Sequence, residues 1–260
     1  GWNSTIGKVN YYLKGIYAFN RNKVIEKSEA AKPYPYMYEA GLPIKQFIGY
    51  QYDGFFSSYD EIASSPQQFG LTNLKPGDIK YKDINGDGIV DENDQAPIGY
   101  STVPEMTYSL QLGASYKGFD VSVMFQGAAR SSVYLYQDLG WDNMTGNYYE
   151  EHINRWTPET AATATYPRFL QGSKESHQNY YLSDFWLKDG KYLRLKNVMI
   201  SYTFDKKMLR KTPFSSLKIF ASGFNLITWD KLKKVDPEVA PSSNTGYFYP
   251  QQRQYNMGIN

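Results

Sequence analysis

Apolar and polar residues alternate along several stretches of this chain, with the period of two that places successive side chains on opposite faces of a sheet. In "KVNYYLKGIYAFN", Val9, Tyr11, Leu13, Gly15, Tyr17 and Phe19 share one face, and Lys8, Asn10, Tyr12, Lys14 and Asn20 the other. In "MTYSLQLGASYKG", Met106, Tyr108, Leu110, Leu112, Ala114 and Tyr116 oppose Thr107, Ser109, Gln111, Gly113, Ser115 and Lys117. "FDVSVMFQG" sets Phe119, Val121, Val123 and Phe125 against Asp120, Ser122 and Gln126. Between these two runs, Lys117-Gly118 predicts a tight hairpin turn, with Gly118 free to take a positive φ. Val198, Ile200, Tyr202 and Phe204 then alternate with Asn197, Ser201 and Thr203. A polar connection, "DKKMLRKTPFSS", leads into "SLKIFASGFN", and the chain ends on "QYNMGIN", again alternating.

Two all-β architectures fit this pattern: a sandwich with its apolar face inside, and a transmembrane barrel with its apolar face on lipid. Connection lengths favour the barrel. Lys117-Gly118 is very short, whereas the stretch from Gly127 to about Lys191 is long, aromatic and irregular. Short turns at one end and long loops at the other are the habit of outer-membrane barrels, and compact soluble domains rarely carry loops of that size. Ser28 to Pro43, rich in Pro and Tyr, reads as an extended loop.

Composition removes several function classes. Twenty-eight basic residues against 26 acidic ones give no basic field for nucleic acid. With no cysteine and two histidines, His152 and His177, there is little material for thiolate, zinc or iron centres. Aromatic residues make up 17% of a chain whose mean hydropathy is −0.59. No run approaches the roughly 18 apolar residues of a membrane-spanning helix. The N-terminus has neither a basic n-region nor an apolar h-region, so the chain is expected to be mature or to start inside something longer.

The strongest local chemistry lies in "DINGDGIVDEND". Counted from Asp83, it has Asn85 at position 3, Asp87 at 5, Gly88 at 6, Ile89 at 7, Asp91 at 9 and Asp94 at 12. That is the spacing of an EF-hand-type calcium loop, in which side-chain oxygens converge and position 7 offers its carbonyl. Hard oxygen donors suit Ca2+ over softer metals. Asp94 replaces the usual Glu, and no helix obviously precedes Asp83, so a structural site is expected rather than a switch.

Beyond these patterns, "PGDIKYKDINGDGIVDENDQAPIG" and the strand after it closely resemble a signature of the SusC/RagA family of TonB-linked outer-membrane proteins. So do "RWTPETAATATYPR", "DFWLKDGKYLRLKNVMISYTF", "SGFNLITWDKLKKVDPEV" and the closing "YPQQRQYNMGIN". The resemblance implies the C-terminal part of an antiparallel transmembrane β-barrel of about 22 strands, with long extracellular loops and short periplasmic turns. It implies a multi-pass protein of the bacterial outer membrane that imports oligosaccharides or peptides. A SusD-like surface lipoprotein and the TonB complex would be its partners. Residues 1–260 are expected to form one C-terminal barrel segment. It would include the calcium-type loop 83–94 and the long loop at about 127–191, and would lack the plug, the TonB box and a terminal aromatic residue. A piece of this length should supply about eight to twelve strands, an open wall with exposed edges.

Two other readings compete. An enzyme needs a catalytic constellation, and none of the usual nucleophile, zinc or phosphate-loop motifs occurs. A soluble, secreted glycan-binding β-sandwich with structural calcium explains the alternation and the acidic loop, but not the family signatures. Substrate or lid contacts, if present, are expected among Trp141, Tyr148, Tyr149, Trp156, Tyr180, Tyr181 and Trp186. Packing within the loop is the competing role for each of them. Asp236-Pro237-Glu238 is a further family mark, read as a loop brace.

Overall fold

The structure, a computed structural model, describes residues 1–142, 148–170, 177–232, 235–238 and 251–260. In chain order, β1 (Trp2–Ile6) and β2 (Val9–Phe19) form a hairpin. Six short strands follow: β3 (Phe47–Gly49), β4 (Tyr52–Phe55), β5 (Gln67–Gln68), β6 (Ile79–Tyr81), β7 (Ile89–Val90) and β8 (Ala96–Ile98). A six-residue helix, α1 (Tyr59–Ser64), lies among them, capped by the Ser58 side chain. The long strands β9 (Met106–Tyr116) and β10 (Phe119–Ala129) come next, then the short β11 (Ser132–Tyr134) and β12 (Leu187–Asp189). The chain returns to long strands in β13 (Tyr192–Thr203) and β14 (Lys218–Asp230), with α2 (Lys206–Leu209) between them, and ends in β15 (Gln254–Ile259).

Seven of these strands make one antiparallel sheet in the order β1-β2-β9-β10-β13-β14-β15. Among the described residues this wall has fewer strands than the eight to twelve expected, because the insertions within residues 20–105 and 130–191 leave it to build a separate cap. All its short turns lie at one end. Gly7-Lys8 and Lys117-Gly118 close hairpins there, and both Lys117 (φ 45°) and Gly118 (φ 87°) take the left-handed conformation of the expected two-residue turn. Both long insertions leave from the opposite end.

The alternation read from the sequence is the register of the wall. Val9, Tyr116, Phe119, Tyr202 and Ile219 line up across five strands, and Leu13, Leu112, Val123 and Val198 across four. Aromatic rows mark both ends of the apolar face: Tyr116, Phe119 and Tyr202 at one level, Tyr17, Tyr108 and Trp229 at the other. Ten residue steps from Val9 to Phe19 run about 33 Å along the strand. A tilt of about 40° reduces this to a height of about 25 Å, that of a barrel's apolar band. Leu13, Leu112, Val121 and Ile200 remain between 36% and 50% exposed. The other sheets among the described residues are two-stranded, and a sandwich would have buried these side chains. The opposite face carries Asn10, Lys14, Gln111, Ser115, Asp120 and Ser122 beside a wide polar hollow. There the Tyr12 ring lies over Gly113, where a Cβ would come within 2.2 Å of it.

One irregularity shapes the wall. Pairing of β13 skips Lys196 on both sides: Met124 and Phe125 face Asn197 and Leu195, and Phe224 and Ile227 face the same two residues. This bulge reverses the parity of the strand. Below it the even-numbered Val198, Ile200 and Tyr202 are on the apolar face; above it the odd-numbered Leu193 and Leu195 are. Arg194 therefore shares a face with Gln126 and Ser109. The sequence pattern covered only Asn197 to Phe204, and the strand begins five residues earlier.

The cap has its own core. Tyr50, Ile79, Tyr81 and Val90 from the first insertion pack with Trp141, Tyr166, Tyr180 and Trp186 from the second. A smaller cluster joins Val133, Leu135 and Leu139 to Leu232 and Val235. The described residues of the stretch expected to be irregular thus form one half of a two-segment core, starting after Ala129 rather than at Gly127.

If the apolar face meets lipid, Leu112→Arg or Val121→Arg should each destabilise the protein by about 2–4 kcal/mol, whereas Ser122→Arg should cost under about 1 kcal/mol. Urea unfolding of the parent protein in liposomes measures this. Equal costs on the two faces would falsify the lipid assignment.

Candidate functional site

The acidic loop lies between β6 and β8 and folds around its own amides. Asp83 accepts hydrogen bonds from the backbone N–H of Gly86 (2.6 Å) and of Gly88 (2.8 Å). Asn85 Oδ1 accepts from Asp87 N (3.0 Å), and Asp87 Oδ1 from Ile89 N (2.9 Å). Asp94, fully buried, accepts from Ile84 N (2.6 Å) and Asn85 N (3.3 Å) on one oxygen and from Asp91 N (2.9 Å) on the other. Asp91 in turn accepts from Asn93 N (2.7 Å) and opens a short 3-10 helix at Glu92–Asp94. The side chains at positions 1, 3, 5, 9 and 12 are thus drawn into one turn.

Two tyrosines from the 28–43 segment brace this turn. Tyr34 and Tyr36 stack with centroids 5.4 Å apart. The Tyr34 hydroxyl accepts from Asn85 Nδ2 (3.2 Å), and the Tyr36 hydroxyl donates to the carbonyl of Asn93 (2.6 Å). Partial burial raises the Tyr36 pKa, and Asp94 adds to it. As donors for a cation, these all-oxygen side chains have the right chemistry for calcium. In this conformation, however, backbone amides already satisfy the carboxylates. No three His, Cys, Asp or Glu side chains among the described residues are grouped as a metal shell.

The aromatic candidates divide by burial. Trp141, Tyr180 and Trp186 are 2–3% exposed and belong to the cap core. Trp186 Nε1 donates to the Asn179 carbonyl (2.8 Å), and the Tyr180 hydroxyl donates to the buried carboxylate of Asp142. Burial pushes the Tyr180 and Tyr166 phenols well above the ordinary tyrosine range, with Asp142 adding to it. Trp156 packs over Gly77, whose φ is 91° and where a Cβ would come within 2.5 Å of the indole. Tyr149 donates its N–H to His152 Nδ1 (3.1 Å). Tyr181 sets its ring edge against Phe69 at 4.9 Å, and Tyr148 is exposed beside Phe169. Packing accounts for most of this set; Tyr148 is exposed, and Tyr149, Trp156 and Tyr181 are half-buried.

Two buried ionic nodes escaped the sequence reading, although each lies inside a quoted signature. Asp78, fully buried, pairs with Arg168 (2.7 Å) and accepts from Lys75 N (2.8 Å) and Asn179 Nδ2 (2.9 Å). It ties the two insertions together. His177 Nε2 stands 4.0 Å from this carboxylate. Burial lowers the His177 pKa below the ordinary histidine value, Asp78 opposes the shift and Arg168 adds to it.

The second node is the clamp at Arg194. Its guanidinium, 1% exposed, grips both oxygens of Asp236 (2.8 Å each), Glu238 (2.9 Å) and the Thr228 hydroxyl (2.9 Å). Lys196, the bulge residue, reaches Glu238 at 2.7 Å. The brace expected of Asp236-Pro237-Glu238 is therefore a bidentate salt bridge to the wall. Residues 233–234, 239 and 249–250 of the signature stretches lie outside the described residues.

Comparison with known proteins agrees with the geometry. No family model matches the chain. It is 28% identical over 234 residues to TonB-dependent receptor P26 of Formosa agariphila, covering 85% of this chain and 23% of the receptor. It is 23% identical over 223 residues to TonB-dependent receptor SusC of Bacteroides thetaiotaomicron, covering 82% of this chain and 19% of SusC. Among solved structures, the RagAB peptide transporter superposes with a TM-score of 0.72 at 21% identity, over 98% of this chain and 27% of that one. The chain thus resembles part of a SusC/RagA-type TonB-dependent barrel and spans about a quarter of the length of the relatives it matches.

Replacing Arg194 by Met strands the Asp236 carboxylate and leaves Glu238 to Lys196, and a cost of about 3 kcal/mol is expected, with new protease cleavage around residues 232–238. Lys196→Met, which removes one partly exposed ion pair, should cost no more than about 1 kcal/mol. Denaturant midpoints and limited proteolysis of the parent protein compare the two.

Proposed function

We propose that this chain forms part of the wall and outer cap of an outer-membrane nutrient importer that draws its energy from TonB. The observation that carries this reading is the seven-stranded sheet with an apolar band on one face, a polar hollow on the other and both long insertions, residues 20–105 and 130–191, at one end. Resemblance to P26, SusC and RagAB supplies the transporter class. On this reading the short turns are periplasmic and the cap is extracellular, where a SusD-like surface lipoprotein would meet it. The polar face lines the interior. Oligosaccharides and peptides are the two substrate classes to consider, since one solved neighbour is titled a peptide transporter. An enzymatic role has no support from the site, because the buried acids and tyrosines are engaged in structural hydrogen bonds.

Import is tested by deleting the parent gene and, separately, tonB. Either deletion should abolish growth on the same oligosaccharide or peptide mixture, with the parent protein recovered in the outer-membrane fraction. Recovery in a detergent-free soluble fraction would return the choice to a secreted binding protein.

We further propose that the 83–94 loop takes calcium as a structural ion. Asp83, Asn85, Asp87, the Ile89 carbonyl, Asp91 and Asp94 would hold it. The spacing of six positions supports this, and the ion would relieve repulsion among clustered carboxylates. Calorimetric titration of calcium into the parent protein should release binding heat that Asp87→Ala removes. If the two titrations match, the loop is a turn satisfied by its amides alone.

A further inference from the structure

The cap carries a groove of about 750 Å³ between the acidic loop and the aromatic core. Its size is within the range of small-ligand sites. Four segments meet there: residues 48–50, 69–70, 89–95 and 181–182. The floor is aromatic. Phe69 sets its edge against Tyr50 at 5.0 Å and against Tyr181 at 4.9 Å, and Tyr50 and Tyr181 lie 6.0 Å apart. Gln95 donates to the Tyr50 hydroxyl at 2.9 Å, which fixes that ring from the rim.

The charge of the groove has one sign. Asp91 and Glu92 line it, and no Lys, Arg or His does. Asp91 accepts from neutral donors: Asn93 N at 2.7 Å, Asn93 Nδ2 at 3.3 Å and the backbone N–H of Asp94. Among the described residues, neither Asp91 nor Glu92 has a cation within ion-pair distance. Burial holds the Tyr50 phenol above its ordinary pKa; the Gln95 hydrogen bond opposes the shift, and Tyr181, Asp91 and Glu92 add to it.

Acidic side chains beside an aromatic floor attract a cation, and Glu92, which is not one of the calcium positions, keeps its charge for the groove when the loop is loaded. Ile89, exposed on the rim, adds apolar surface for the methylene stem that a lysine or arginine carries behind its charge. A neutral sugar would gain stacking but nothing from the charges, and an acidic ligand would be repelled. From this juxtaposition we propose that the groove is a recognition subsite for the cationic side chains of peptides. The proposal deepens the import reading, on which it rests for its context, by selecting peptide over glycan at this position.

The test uses the detergent-solubilised parent protein in calcium-containing buffer, in which Asp91 serves the loop and Glu92 carries the charge of the groove. Calorimetry compares Gly-Lys-Lys-Gly, Gly-Glu-Glu-Gly and maltohexaose. The lysine peptide should bind about tenfold or more tightly than the glutamate peptide, and the gap should narrow at about 0.5 M salt. Glu92→Gln, at an exposed position, should weaken lysine-peptide binding about threefold or more without moving the unfolding midpoint. Equal affinity for the two peptides, tightest binding of maltohexaose, or an unaffected Glu92→Gln variant each overturns the proposal. Failure of the import reading would appear instead in the tonB and fractionation experiments, which do not depend on this groove.

Discussion

A chain that crosses hydrocarbon must pair every backbone amide within the protein, because lipid offers no hydrogen bonds. In the setting proposed here, that constraint orders the rest of the molecule. It makes the wall a continuous antiparallel ladder, confines two turns on one side to two residues, and sends both long insertions to the other end. There the chain is wet again and can use loops, short strands and buried charges. The polarity of the molecule, with a plain end and an elaborate end, follows from where unpaired backbone is tolerated.

The cap answers a different problem. Two insertions far apart in sequence must fold over a sheet whose apolar face cannot serve as their core. They solve it by making a core of their own from tyrosine, tryptophan and phenylalanine, and by fixing its geometry with buried ionic contacts. Asp78 with Arg168 joins one insertion to the other; Arg194 with Asp236 and Glu238 joins the connection after β14 to the wall. Charges this deeply buried add little net stability over apolar packing, but they permit few alternative arrangements. The rings supply burial and the ion pairs supply register.

What the sequence revealed and what it hid divide along the same line. Period-two patterning exposed β2, β9, β10 and the lower half of β13, because each face of a wall strand has a single environment along its whole length. The hairpin at Lys117-Gly118 was legible from two residues. The cap was not, since its order comes from contacts between residues about a hundred positions apart, such as Asp78 with Asn179. Trp141, Tyr180 and Trp186 resembled a binding surface for that reason: an aromatic residue in a loop does not announce which neighbours will cover it. Asp236-Pro237-Glu238 was visible as a mark, but its partner Arg194 was hidden by the change of parity at Lys196. The calcium-type spacing was legible as a turn, and the structure folds it as one around its own amides.

The bulge at Lys196 has a consequence for how variation in this strand can be interpreted. A sheet has something like a reading frame, in which position modulo two decides whether a residue meets the inside or the outside. Lys196 is a single-letter insertion that shifts the frame for Tyr192 to Leu195 and leaves Asn197 to Thr203 in the original one. Substituting it alters one ion pair; pairing it in the ladder as an ordinary strand residue, without the bulge, would turn Arg194 outward and Leu193 and Leu195 inward without changing any of them. In this part of the wall, backbone register carries information that residue identity does not.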